Sequence, residues 1–297
     1  MRGLDLDYLQ SFVDVIELGS FSRVAERVGL TQPAISLQVR RLEATLGVRL
    51  IERVGRKPRP TAAGSELLHH ARQIEAVVSA ALDSMAQHAT GRMGRVRLGT
   101  GATAVVFLLP PILRDLRRRF PTLEITVMTG NSPEIIKAVE QNIIDVGLVT
   151  LPASGRMLDI TPVLDDEFVV IAPRTLQLPV PLTAAALAKL PVLVFEPGGN
   201  TRRLADRWFA RSGVTLKPTM SLGSVEAIQE LVNAGLGCAL LPSLSVRTAG
   251  GRGGLVVRPL SPRLHRTLAV VVRRDKRLTR GLRETVEALK ALSTPAR

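Results

Sequence analysis

The sequence predicts an α/β protein: an all-α winged helix-turn-helix at the N-terminus, then a long linker helix, then a two-lobed α/β half. Three observations carry this reading. The first sixty residues hold apolar patterns at helical spacing, two of them joined by a three-residue turn that begins at Gly29. Residues 61–90 hold one unbroken pattern with heptad spacing. From about residue 91, short apolar runs alternate with helical segments, the pattern of βαβ units.

A chain of 297 residues is long enough for two or three compact units. Apolar residues make up 45% and aromatic residues only 3%, so cores must be built from Leu, Val, Ile and Ala, and aromatic platforms for stacking bases are too few. The net charge of +14 points to polyanionic partners, but its distribution is uneven. Residues 1–60 hold 10 Lys and Arg against 7 Asp and Glu, residues 61–90 hold 1 against 3, and residues 91–297 hold 29 against 16. Net charge therefore does not locate a nucleic-acid site, and it hints at an anionic ligand in the C-terminal part. Runs such as Arg117, Arg118 and Arg119 read as solvated helix faces. Cys238 is the only cysteine, which excludes an intrachain disulfide framework and fits a reducing cytoplasm. Leu4 to Tyr8 enter a helix without a basic stretch and apolar run, so no secretory signal is expected, and no membrane helix either.

Leu6, Leu9, Phe12, Val13 and Ile16 mark a first helix that Gly19-Ser20 ends. Ser20 then caps a second helix with Phe21, Val24, Ala25 and Val28 inward, closing at Gly29. Thr31 caps a third, with Pro33 in its first turn, a stripe of Ile35, Val39, Leu42 and Leu46, and a stop at Gly47. The opposite face carries Gln32, Ser36 and Arg40, flanked by Pro33 and Leu37. Those polar groups suit adenine edges, bases or phosphate, and guanine, while the helix N-terminus favours phosphate. An ordinary solvated face would look the same, so the pattern alone leaves both readings open. The next segment favours DNA. Arg49 to Arg53 reads as a strand, Val54 to Pro58 as a turn and Arg59-Pro60 as the return, so Arg53, Arg56, Lys57 and Arg59 gather as a basic wing for the DNA backbone.

At this point the chain resembles the LysR-type transcriptional regulators. The resemblance is carried by Phe12, Gly19-Ser20-Phe21, Ala25, Thr31-Gln32-Pro33-Ala34-Ile35-Ser36, Gln38, Arg41-Leu42-Glu43, Leu46-Gly47, Leu50, Arg53 and Thr61-Ala62-Ala63-Gly64. Leu37 departs from it, standing where many members carry Arg, and Ile51 stands where many carry Phe. The resemblance implies sequence-specific binding of double-stranded DNA, with Ser22 and Thr31 counted among the contacts, a small-molecule effector, and RNA polymerase as a further partner.

From Thr61 a helix should run to about His88, with Leu67, Ala71, Ile74, Val78, Ala81 and Met85 as a coiled-coil seam. A helix folded back on its own domain would also need such a stripe, and the family resemblance is what favours a homodimer or homotetramer.

Gly91 to Gly94 reads as a hinge. Strand Val96–Gly99 leads through Thr100-Gly101-Ala102-Thr103 into a helix towards Arg119. Strand Glu124–Met128 leads through Thr129 to a helix capped by Ser132, and strand Val146–Val149 ends at Thr150. Three strands thus end in threonines at their carboxyl ends, where open α/β sheets place ligands. Further strands are read at Phe168–Ile171 and Val192–Phe195. The loop Glu196 to Thr201 that opens a helix resembles an anion cradle, and the stretch around Gly235, Gly237 and Leu241-Pro242 resembles the signature of the LysR effector domain. Strand Thr267–Val272 and a helix from Thr279 return to the first lobe, with crossovers near Pro162 and Pro262. The half therefore resembles a two-lobed periplasmic binding protein, with lobe I at 91–162 and 267–297 and lobe II at 163–266. Family analogy places Thr100 and Thr201 face to face across the cleft as first ligand contacts, then Thr103, Thr129 and Thr150, with Gly101 and Arg202 beside them. For any one threonine, plain helix capping is the simpler role; their convergence is the argument.

His69, His70, His88 and His265 show no metal spacing, and neither a Gly-x-Ser-x-Gly elbow nor a Walker loop is present. The expectation is a regulator and not an enzyme, with no cofactor or metal and a small anionic co-inducer. A transport binding protein is the rival that the C-terminal two hundred residues would suit, and the attached winged helix argues against it.

Overall fold

The computed structural model describes residues 4–54, 57–90, 93–246 and 254–293, and it divides into two compact units, 1–82 and 83–297.

In the first unit, helices α1 (Leu6–Leu18), α2 (Phe21–Val28) and α3 (Gln32–Leu46) begin and end where local chemistry dictates. Asp5, Ser20 and Thr31 cap them through side-chain oxygens, and Gly19, Gly29 and Gly47 close them in the left-handed conformation that glycine adopts without a Cβ penalty. Phe12, Val15, Val24, Ile35 and Leu42 form the centre of the core. Strands β1 (Ile51–Val54) and β2 (Lys57–Pro60) pair antiparallel, Val54 opposite Lys57, so the return strand starts two residues earlier than the turn chemistry suggested. Glu43 anchors the hairpin: its buried carboxylate accepts from Leu50 N at 2.8 Å and Ile51 N at 3.2 Å.

Helix α4 (Ala62–Thr90) starts at Thr61, whose hydroxyl accepts from Gly64 N at 3.0 Å. A Cβ on Gly64 would lie 2.1 Å from Leu50 O, so glycine is what lets this helix lie against the hairpin. Half of the expected seam is spent inside the unit, because Leu67, Ala71 and Ile74 pack into the core of α1 to α3. Val77, Val78, Leu82 and Met85 lie exposed, at 67%, 37%, 65% and 61%.

The second unit is built on one nine-stranded mixed sheet. Strands β3 (Arg95–Thr100), β4 (Glu124–Thr129) and β5 (Val146–Thr150) are mutually parallel through β3, as are β7 (Val192–Phe195), β8 (Met220–Leu222) and β9 (Cys238–Pro242) through β7. Two antiparallel strands join the lobes: β6 (Leu158–Pro173) and β11 (His265–Arg273). β6 pairs β11 from Leu158 to Glu167, then β9 and β10 (Leu255–Pro259) from Phe168 onward, with a bulge opposite Leu268 and Ala269. The expected parallel βαβ units are present in each lobe; the chain passes twice between the lobes, and each passage adds an antiparallel strand.

Each lobe is a three-layer sandwich, and two one-turn helices, α8 (Ala184–Leu187) and α11 (Ser243–Val246), complete the second. In β6 the even positions Phe168, Val170 and Ala172 pack with Trp208 and Phe209 of α9 (Asn200–Arg211), while Val169 and Ile171 pack with Ile228 and Val232 of α10 (Val225–Asn233). In the first lobe Leu98, Leu148 and Val270 face α6 (Leu109–Arg119) and α12 (Arg280–Lys290), and Val149 and Val271 face α7 (Ser132–Glu140). The single helix expected after Thr103 is two, α5 (Ala102–Phe107) and α6, broken at Leu108 ahead of Pro110 and Pro111. Helix α7 is capped by Asn131 in a reciprocal box with Glu134, not by Ser132, whose hydroxyl instead accepts from Thr150 N at 3.0 Å.

Candidate functional site

In the first unit, the buried stripe of Ile35, Val39 and Leu42 turns Gln32, Pro33, Ser36, Leu37 and Arg40 outward. Gln32 Nε2 donates to Ser36 Oγ at 2.7 Å, so the two polar side chains form one hydrogen-bonding group. Gln38 lies on the inner flank, where it accepts from Ser11 Oγ at 2.6 Å and ties α3 to α1. Thr31 is exposed and its oxygen caps Ala34 N; Ser22 is exposed in the first turn of α2. Lys57 and Arg59 both point outward on β2, while Pro58 and Pro60 are half-buried between them. Arg56 and the side chain of Arg53 lie outside the described residues. Arg49, which the sequence reading passed over, is 84% exposed and borders the same depression as Ser36 and Arg40. Its signal was a basic residue between helix stop and strand, easily read as part of the wing.

In the second unit, a cavity of about 310 Å³ lies between the lobes at the carboxyl ends of β3, β5 and β7. Gly101, Thr103, Thr129 and Thr150 line it from the first lobe, and Thr201 and Arg202 from the second. Thr100 does not. It is fully buried, and its hydroxyl donates to Leu148 O at 2.7 Å, so it ties β3 to β5 and does not face Thr201. Arg202 lines the cavity with its guanidinium already engaged: Nε donates to Asp206 at 2.8 Å and Nη1 to Phe195 O at 2.6 Å.

The cation that sequence reasoning missed is Arg266. It lines the cavity, is 4% exposed, and donates from Nε to Asp166 at 2.9 Å and from Nη1 to Thr201 Oγ1 at 3.3 Å. Nη2 lies 2.8 Å from Asp166 Oδ2 yet makes no hydrogen bond. Burial pushes the guanidinium below its ordinary value, and the Asp166 charge opposes that shift. Asp166 also accepts from Ser243 Oγ and Leu244 N. Arg266 precedes an apolar strand run, and nothing in its neighbourhood along the chain distinguishes it from a solvated strand end.

Helix α9 opens on Gly199, and no side chain caps it, whereas α7 across the cleft is closed by its own capping box. Asn200 is spent on Thr150 O and Pro152 O, a bridge from α9 to the first lobe. Glu134 and the exposed Glu196 bring carboxylates to the rim, the first held by Asn131 N at 3.0 Å. Among the described residues no group of three His, Cys, Asp or Glu could hold a metal ion, and no helix is long and apolar enough to cross a membrane.

Comparison with known proteins matches residues 6–65 to the bacterial regulatory helix-turn-helix protein, LysR family, and residues 89–293 to the LysR substrate binding domain. This chain belongs to the LysR family. It is a LysR-type DNA-binding transcriptional regulator with a small-molecule effector domain, and its named relatives are regulators, not enzymes. The HTH-type transcriptional regulator CbbR of Xanthobacter flavus is 35% identical over 266 residues, 88% of this chain and 79% of that one. The transcriptional activator CmpR of a Synechocystis strain is 30% identical, over 86% of this chain and 85% of its own. Among solved structures, the LysR family regulator CbnR superposes with a TM-score of 0.74 at 22% identity, covering 98% of this LysR-type chain and all of the other, which supports the fold.

Proposed function

We propose that this regulator senses a small effector through one anionic group held at the second-lobe side of the cleft, by Thr201, Arg266 and the open start of α9. The supporting observation is Arg266 buried at the cavity wall, its Nη2 in an ion pair with Asp166 Oδ2 but without a well-aligned hydrogen bond, so an anion in the cavity would add to the field that offsets the guanidinium's desolvation. Thr201 Oγ1 accepts from Arg266, which leaves its own proton free to donate, and the first amides of α9 add donors and the positive end of the helix dipole. Thr103, Thr129, Thr150 and Gly101 would meet the rest of the ligand from the other lobe. Glu134 and Glu196 at the rim suit a ligand with one anionic end and a polar remainder better than a polyanion. Occupancy would bias the lobes between open and closed arrangements.

On the output side, α3 lies in the major groove with Gln32, Pro33, Ser36 and Arg40 at base edges. Ser22, Thr31 and the wing residues Arg53, Arg56, Lys57 and Arg59 sit on phosphate. Exposed Val77, Val78, Leu82 and Met85 on α4 support self-association as a homodimer or homotetramer, with two recognition helices on half-sites about one helical turn apart. Its place of work is the cytoplasm, with RNA polymerase as a further partner.

The test is a thermal-shift and calorimetric titration of the full chain with sulfate, phosphate and small carboxylates. Thr201→Val should weaken the anion that binds wild type by about tenfold or more, the scale of one hydrogen bond to a charged group. Thr100→Val should leave that affinity unchanged. Equal affinities for wild type and Thr201→Val, or no response to any anion, would remove this reading.

A further inference from the structure

The outward face of α3 has an apolar centre. Ile35, Val39 and Leu42 define the buried direction, and at 3.6 residues per turn Leu37 lies roughly 170° around the helix from their mean. Its side chain is 49% exposed, and Pro33, one turn earlier, is exposed beside it. Gln32 with Ser36 flanks this ridge on one side, and Arg40 extends it. An exposed leucine on a surface is ordinary; one in the middle of a polar face that must meet base edges is not, because every polar base-edge atom it covers loses water without gaining a partner. The major groove offers one apolar group to such a side chain, the 5-methyl of thymine.

We propose that Leu37 is a specificity-determining residue that selects thymine in each half-site by packing its side chain on the thymine methyl. The proposal rests on α3 being the groove-reading helix. It assigns hydrogen-bonded readout to Gln32, Ser36 and Arg40, and discrimination by apolar contact to Leu37 with Pro33. It also gives a function to the position where this chain departs from the arginine that the family resemblance implies: an apolar side chain, suited to a methyl group, stands in place of a cation.

The experiment uses the full chain and does not depend on a known operator. A preferred duplex is selected from a random library, and each thymine is then replaced in turn by deoxyuridine, which removes the methyl and keeps the pairing. Wild type should lose about fourfold in affinity at one position per half-site, the value of one methyl group withdrawn from contact. Leu37→Ala should be insensitive at that position while keeping its other preferences, and selection with Leu37→Arg should turn that position towards guanine. Leu37 is exposed, so both variants keep the core of α3 intact, which circular dichroism verifies. If no thymine is sensitive, or if wild type and Leu37→Ala lose equally everywhere, the proposal fails. Gln32→Ala and Arg40→Ala separate the two levels. If both keep wild-type selectivity, the groove-reading assignment of α3 itself falls; if they lose it while Leu37 couples to no methyl, only the role of Leu37 does.

Discussion

Replacing Asp166 by Asn should cost the second unit about 3–5 kcal/mol, the range for a buried ion pair broken on one side. The magnitude follows from the environment. The side chains of Arg266 and Asp166 are 3% and 0% exposed, so water cannot take over the guanidinium's lost partner. An asparagine oxygen still accepts from Ser243 Oγ and Leu244 N, but the amide NH2 then stands where Oδ2 accepted from Arg266 Nε, so the substitution removes both the charge and that acceptor. Trp208 is the only tryptophan, is buried in this unit, and donates to Pro262 O at 2.8 Å, so its fluorescence follows unfolding of the sensor half alone. With a urea slope of about 3 kcal/mol per molar, the midpoint should fall by about 1 to 1.7 M. The double variant Asp166→Asn with Arg266→Met should return to within about 1–2 kcal/mol of wild type, because no charge is left unpaired in the interior and the asparagine oxygen still accepts from Ser243 Oγ and Leu244 N. A loss below about 1 kcal/mol in the single variant, or a double variant as unstable as the single, would refute the argument that these two charges balance each other.

Asp145 should make the sensor half acid-sensitive. Burial raises its carboxyl, but hydrogen bonds from Arg97 and the charge of Lys276, with Nζ at 2.7 Å, outweigh burial and hold it below its ordinary 3.8. Its stabilisation is therefore present above pH 3.8 and is lost as pH falls through the lower folded value. Asp145→Asn should flatten that part of the stability curve in Trp208-monitored urea titrations from about pH 5 down to about pH 2, and an unchanged curve would count against it. Leu82→Lys should weaken self-association by roughly thirtyfold, the effect of about 2 kcal/mol for an unpaired ammonium in an apolar seam. Sedimentation at micromolar concentration reads this directly, and an unshifted distribution would move the interface elsewhere.

The N-terminal half was legible because its signals are local. Capping by Ser20 and Thr31, closure at Gly19, Gly29 and Gly47, and the stripe of Ile35, Val39 and Leu42 each depend on residues a few positions apart, and the structure has them where the pattern implied, while Leu46 and Val28, read into the inward faces, lie exposed at the helix ends. The same locality left two readings of α4 open. Its heptad spacing marked an apolar stripe but not what covers it, and tertiary packing assigns Leu67, Ala71 and Ile74 to the chain's own core, leaving only the stretch from Val77 exposed.

For the cleft, the amino-acid order alone determined that three strands end in threonines and that a glycine-rich loop opens α9, because strand period and turn chemistry are short-range. Only the tertiary structure decided which of those groups reach the cavity. Thr100 and Thr103 are three residues apart, yet one is consumed by a neighbouring strand and the other lines the wall. Arg266 and Asp166, a hundred positions apart, become a buried pair because β6 and β11 run antiparallel through the junction of the lobes. Burial is a property of what the rest of the chain packs against a group, and it is burial that turns an inconspicuous strand arginine into half of a desolvated ion pair at the cavity wall.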